Sequence, residues 1–411
     1  MAVVALLFTS SMVAAQTPAP AAPRTSYDQV VAQLESPDDE ARLDALRALG
    51  ATAYPEAIAP ISTLLTDPVD DIQLEAIYTL LSFYHVEKPT FVKRRRGLVV
   101  ETRSRSAARH IYDLGPYGLI PQPVPVELTN GLAQAIFDQN GRVRLEAIYA
   151  LGVMARPPLD GYAADALPRL LQDGDADIRE AAARVLGGLR VTTAGDALVT
   201  ALNDSNTRVV TAAMRSLGDI KAWQALEALT AQFSFYEGKG PRAEAALDAL
   251  ARIAHASSQP LFTAQLTASS ANLRRLAGEG LARCGNREAA QQAAAALLGD
   301  SQRDVQLAGA FASVMGGPQG STGVATLVAA LDNGTYHEQA MAYLVELGPR
   351  AVPGLDQALA STDVAARERA TLVLGFIGGE RALGLLERAR SDSDLRVVRA
   401  AERAIARLRK A

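Results

Sequence analysis

Seven cations crowd one short stretch of this chain. Lys93, Arg94, Arg95, Arg96, Arg103, Arg105 and Arg109 stand against a single Glu101, a local charge of +6 on a chain whose net charge is −4. Six of the seven are arginine, whose planar guanidinium binds carboxylates and phosphates through paired hydrogen bonds that lysine cannot match. The stretch is therefore a candidate docking surface for an anionic partner, either an acidic protein or a lipid head group. Nucleic acid is not expected: the chain as a whole is acidic, and although nucleic acid fits the local charge, it does not fit the exported compartment that the amino end implies.

The remaining chemistry is sparse. Cys284 is the only cysteine, which excludes an internal disulfide, a thiolate metal cage and a dithiol redox pair, and its place in LARCG reads as a buried structural thiol. There is no GxxxxGK[ST] phosphate loop, no GxSxG elbow and no HExxH pair. GGPQGSTG at 316–323 follows no strand and reads as a flexible loop. The carboxylate pairs Asp38-Asp39 and Asp70-Asp71 fall in turns where helix capping accounts for them. No catalytic residue, cofactor site or metal site emerges.

What must position the basic stretch is a repeat. QDGDADIREAAARVLG at 172–187 and NDSNTRVVTAAMRSLG at 203–218 are one phrase in two wordings. Taking Ala182 as a marker, the same pattern of apolar, small and apolar residues recurs at Ala45, Ala76, Ala147, Ala213, Ala246, Ala277, Gly309, Tyr343, Ala370 and Ala401. Apart from one interval of 71 residues between Ala76 and Ala147, the spacings lie between 27 and 35. Such a period holds two helices of about ten residues and two turns, a helical hairpin. Polar turns with Asp precede most marker helices and read as N-terminal caps, and Gly50, Gly152, Gly187, Gly218, Gly348 and Gly375 read as helix stops. Ile178, Ala181, Ala182, Val185, Leu186 and Leu189 line one face at helical spacing, too wide to leave wet. A lone hairpin cannot cover that face, whereas stacked hairpins share a continuous core. The fold class is all-α, an α-solenoid of about eleven hairpins. The low aromatic content, 5%, and abundant alanine agree with close helix packing.

The phrase Asp138…Arg144…Leu151-Gly152, repeated as Asp173…Arg179…Leu186-Gly187, resembles the HEAT-repeat family, and the short Ala-rich period resembles its phycobilisome-lyase-like branch. The resemblance spans 27–411 apart from one insertion at about 88–125. It implies that the second helix of each hairpin lines a concave face and that Asp and Arg form a ladder between repeats. Gln73, Val210, Gln306 and Val398 interrupt that ladder. Two enzyme readings come with the resemblance. Deoxyhypusine hydroxylase builds a di-iron site from four His-Glu pairs, and here only His337-Glu338 is such a pair, because Val86, Ile111 and Ala256 follow the other histidines. A phycobilin lyase would work in the cytoplasm, against the apparent export of this chain, and no residue marks a bilin pocket. Scaffolds share the fold as well, so the repeat alone does not select a function.

If the row two residues after the markers faces inward, it offers a second binding surface. Two residues after the markers come Arg47, Tyr78, Tyr149, Arg184 and Arg215, a basic and aromatic run, followed by Asp248, Glu279, Phe311, Val345 and Leu372. Arg and Tyr are favoured at binding hot spots. The insertion itself carries five prolines and reads as irregular, with no marker helix and with a small hairpin of TFV and LVVET around the basic turn. At the amino end, MAVVALLFTSSMVAA is a short apolar run ending in small residues, a signal peptide cleaved after Ala15, followed by a disordered Pro- and Ala-rich leader at 16–26. The run is too short for a transmembrane helix. The sequence thus predicts a periplasmic or secreted, non-enzymatic adaptor or scaffold for a protein partner, the alternative being a hydroxylase-like or lyase-like repeat enzyme.

Overall fold

The computed structural model describes residues 26–52, 54–84, 107–115, 119–120, 123–317 and 320–410. The export signal, the leader up to Thr25, Lys93, Arg94, Arg95, Arg96, Arg103, Arg105 and the expected TFV/LVVET hairpin lie outside the described residues.

All eleven markers sit on helices. These are Asp39–Thr52, Asp70–Tyr84, Gly141–Met154, Ala176–Gly188, Thr207–Asp219, Pro241–Ile253, Ala271–Arg283, Arg303–Met315, His337–Leu347, Val364–Ile377 and Leu395–Lys410, the second helices of hairpins 1 to 11 in that order. Each is preceded by a shorter first helix, often broken by 3₁₀ turns, as where Gly161–Ala166 runs into Leu167–Gln172 around Pro168. Second helices pack side by side in chain order, and every alanine marker is fully buried. Gly309 shows why a small residue is needed: a Cβ there would lie 2.8 Å from the backbone nitrogen of Leu298. Placing Leu at Ala213 or Ala277 overpacks two touching hairpins, and each substitution is expected to cost about 1–3 kcal/mol in circular dichroism melts. Unchanged melts for both would move the register by at least one helical face.

The ladder runs along the turns. Arg144 Nη1 donates to the carbonyl of Asp138 in its own turn at 2.8 Å, and its Nε lies 3.2 Å from the Asp173 carboxylate of the next hairpin. Arg179 repeats this on Asp173 and Asp204, Arg274 on Ala268 and Asp300, and Arg367 on Ser361 and Asp392. Each arginine therefore ties its own turn shut and grips its neighbour. Hydrogen bonds from Arg179, Arg274 and Arg367 hold the carboxyls of Asp204, Asp300 and Asp392 below the usual range. Gln73 keeps a rung by donating to Asp138 at 3.0 Å, while Gln306 ties only its own turn, at Asp300. Val210 and Val398 carry no rung, and neither do Ala243 and Ala340 at the same position.

Two turn assignments change. The aspartates of the ladder are not the caps: Asp138, Asp173 and Asp204 accept the backbone N–H two residues on, and the helices are capped by Asn140, Asp175 and Asn206. Among the glycines read as stops, Gly348 does end its helix, with φ at 59°, but Gly187, Gly218 and Gly375 lie inside theirs. They are there for packing, since a Cβ on Gly187 would meet Ser216 Cα of the next hairpin at 2.7 Å. The left-handed turn falls three residues later, at Arg190, Lys221 and Gly378. The glycine-rich 316–323 stretch is likewise not all loop, because helix Gly320–Ala329 begins within it.

Candidate functional site

Second-helix side chains reach across an intervening hairpin, from Glu279 to Tyr343 and from Arg283 to Glu346. That contact places the second helices on the inside of the curve, so the row beginning at Arg47 is the inner face. Three hairpins of it are occupied by the chain itself.

The insertion contains a helix, Ala107–Asp113, that the sequence reading did not anticipate. It lies against Gly141–Met154. At its start, the Ala108 N–H donates to the buried Glu146 carboxylate at 2.9 Å, a charge placed where the helix dipole favours it. Arg109 follows, 3.1 Å from Glu180 and with its guanidinium 5.9 Å from the centre of the Tyr149 ring. Tyr112 enters a slot between two second helices: a Cβ on Gly152 would come within 2.8 Å of its ring, and one on Gly188 within 2.6 Å of its hydroxyl. That hydroxyl donates to the Arg184 carbonyl at 2.8 Å, and burial pushes it up to about 12. Asp113 closes the helix against the Arg184 guanidinium, which lies over the Tyr112 and Tyr149 rings. The far end of the insertion is tied back, the Ile120 N–H donating to the Tyr84 carbonyl at 2.8 Å and the Tyr84 hydroxyl to the Pro123 carbonyl at 2.9 Å.

These contacts correct three residues of the expected surface. Arg109 is an internal anchor, not a free docking cation. Tyr149 is fully buried beneath the inserted helix, and Arg184 is half-buried and engaged with Asp113. Tyr78 is half-buried, its hydroxyl accepting from Arg142 at 3.2 Å. Arg47 and Arg215 are exposed as the row requires; Arg47 pairs with Asp44 at 3.3 Å, and Arg215 has no carboxylate partner among the described residues.

Further along the inner face the charges interlock. Glu279 is buried with its carboxylate between Arg275 at 2.5 Å and Arg283 at 3.0 Å, and it accepts from the Tyr343 hydroxyl at 2.6 Å. Burial acts to raise this carboxyl, but Arg283 and Arg275 outweigh it and hold it below its ordinary range. Arg283 also grips Glu346 through two bonds of 2.8 and 3.0 Å and sits over Phe311, which stacks on Tyr343. Tyr343 is the one bulky marker, and its ring spans the space that lets the hydroxyl reach Glu279. Cys284, expected to be buried, is half-buried at the end of its helix, 3.5 Å from the His255 carbonyl, and burial raises its thiol to about 11.

The described histidines stand apart. His110 is exposed on the inserted helix, His255 caps its own turn at Ser257, and His337 meets the Asn333 carbonyl at 3.0 Å. Among the described residues no three His, Cys, Asp or Glu side chains are gathered as a metal site would need.

Comparison with known proteins bears on the repeats. Residues 27–109 and 163–234 match a family model described as HEAT repeats. The match covers those two stretches, less than half of the chain. The first stretch takes in hairpins 1 and 2 and runs into the insertion as far as Arg109, and the second takes in hairpins 4 and 5 and the first helix of hairpin 6. No curated protein matches the sequence. Among solved structures, an engineered protein shares 20% identity over 93% of this chain and 98% of its own, with a TM-score of 0.36. Human deoxyhypusine hydroxylase in complex with glycerol shares 20% identity over 69% and 96%, with a TM-score of 0.28. A chain from a structure concerning a phosphorylation switch between cadherin and beta-catenin shares 12% identity over 93% and 94%, with a TM-score of 0.40. At these values none of the three bears on what this chain does. No helix among the described residues is long and apolar enough to cross a membrane.

Proposed function

We propose that this chain is an exported, non-enzymatic interaction scaffold of the short phycobilisome-lyase-like repeat type, and that its basic insertion docks an anionic protein. The observation that carries the reading is the seating of Ala107–Asp113. A solenoid with an exposed curved face is suited to partners, and insertions on such folds gather on the binding side. Here the basic segment follows Tyr84 in the chain and precedes a helix keyed into the inner face by Tyr112, Arg109 and Asp113. The described residues on either side of the basic segment, Tyr84 before it and Ala107–Asp113 after it, are both packed on the scaffold, which supports a docking surface that is partly pre-positioned.

The mature chain, beginning at Gln16, is the form to test. Replacing Arg94, Arg95 and Arg96 together by Ala should leave the helical melt nearly intact while weakening capture of acidic partners from the native host. Because surface charges are screened over about 10 Å at 0.1 M salt, wild-type retention on an anionic matrix should fall steeply with salt and the triple variant should lose most of that dependence. Equal retention at low and physiological salt would remove the arginines from the binding surface. A native N-terminus at Met1 in a cytoplasmic fraction would remove export.

A further inference from the structure

Beside the inserted helix lies a cleft of about 670 Å³, within the range of small-molecule sites. One wall comes from the insertion, with Tyr112 and Leu119, and the other from hairpins 3 and 4, with Val153 and Leu189. Four charged side chains reach it, and their pairing is unequal. Asp113 is taken by Arg184, and Asp219 by Arg252 at 2.9 Å. The Ser216 hydroxyl is spent on the Ala183 carbonyl at 2.6 Å, and that of Tyr112 on the Arg184 carbonyl. Arg215 alone is left without an anion among the described residues, at the edge of a cavity whose other charges cancel. The cleft over Glu279, about 550 Å³, differs in this respect, because each of its arginines already holds a carboxylate.

We infer that the cleft between the inserted helix and hairpins 3 to 5 binds a small apolar molecule bearing one carboxylate, with Arg215 holding the carboxylate and Leu119, Val153 and Leu189 enclosing the apolar body. The charge count fixes the valence: one unpaired guanidinium in a balanced site takes a single negative group, and a second would face Asp113 and Asp219. The walls fix the rest of the ligand, since the aliphatic side chains offer no hydrogen bond to a polar body. Arg215 stands on a second helix while the opposite wall belongs to the inserted helix and Leu119, so an occupant touches both. This site is independent of the anionic partner proposed above, and either can fail without the other.

Decanoate and decanol, identical in apolar length and different in charge, are the probes for isothermal titration calorimetry on the mature chain. Wild type should bind one decanoate per chain and prefer it to decanol by roughly ten- to a hundredfold, the range of a hydrogen bond to a charged group. Arg215→Ala should remove that preference, Arg215→Lys should keep part of it, and Leu119→Glu should abolish decanoate binding. Melts by circular dichroism, matched to wild type, confirm that each variant is folded. The inference is overturned if wild type binds neither probe, if it binds both equally, if the preference survives Arg215→Ala, or if Leu119→Glu leaves decanoate binding intact.

Discussion

Glu279→Ala should destabilise the chain by about 3–5 kcal/mol, the cost of leaving buried charges without their partner. Arg275 and Arg283 are held on either side of this carboxylate and Tyr343 donates to it from two hairpins away, so the substitution strands three groups in one step. Denaturant melts read the effect. Glu279→Gln keeps the volume and one acceptor, and should cost less. The same cluster predicts a pH dependence with a definite sign. A carboxyl held below its ordinary value near 4.5 contributes its stability in full above that value and loses it as pH falls through the folded one. Asp204, Asp300 and Asp392 add to the same trend. The midpoint of thermal unfolding should hold steady from neutral pH to about 5 and drop below about 4, and the drop should be shallower in Glu279→Gln. A midpoint that rises on acidification would contradict the ion-pair account.

Tyr112→Ala should release the inserted helix. Emptying the slot between Gly152 and Gly188 removes the ring and the hydroxyl bond to Arg184, a loss of about 3 kcal/mol by comparison with other aromatic truncations. Seven residues cannot hold a helix in water without packing, so the segment should come off as a unit. Hydrogen exchange at 107–113 should speed up by about two orders of magnitude while the flanking second helices keep most of their protection. Gly188→Val, which leaves every residue of the insertion unchanged, should produce the same release by filling the slot from the other side. Protection at 107–113 that survives both changes would show that Arg109 and Asp113 suffice to hold it.

The stack was readable because it is written in a local code repeated eleven times. Ala182 and its counterparts recur at helical spacing, and the Asp-to-Arg interval is fixed by one turn. Glycine was harder, because the pattern Leu-Gly occurs both where a helix stops and where it must admit a neighbour, and only the position of Ser216 against Gly187 decides between them. The inserted helix was hidden for a different reason. AARHIYD has apolar residues at Ala108, Ile111 and Tyr112, too few to form a periodic stripe, and the slot that fixes it is made by Gly152 and Gly188, dozens of residues away. Tyr149 and Arg184, candidates for an open groove, are covered by the inserted helix, which their own spacing could not reveal. For Glu279 the signal was present but unread: Tyr343, the only large residue in the marker series, announces a contact that a small residue could not make.

The uneven ladder gives the solenoid uneven mechanical compliance. Rungs tie the turns from Arg42 to Arg179 and recur at Arg274 and Arg367, but Val210 and Ala243 leave two successive seams without one, as Gln306 and Ala340 do further on. At the first of those seams the tie is carried on the opposite side of the stack, by Arg252 and Asp219 on the inner face. Seams without a rung bend more easily than seams that have one. A partner wedged into the groove between hairpins 5 and 6 would strain a single solvent-accessible ion pair, whereas at a seam with a rung it would have to stretch that as well. The stack should therefore flex at hairpins 5 to 7 and again at hairpins 8 to 10, and its softness in extension should increase with salt.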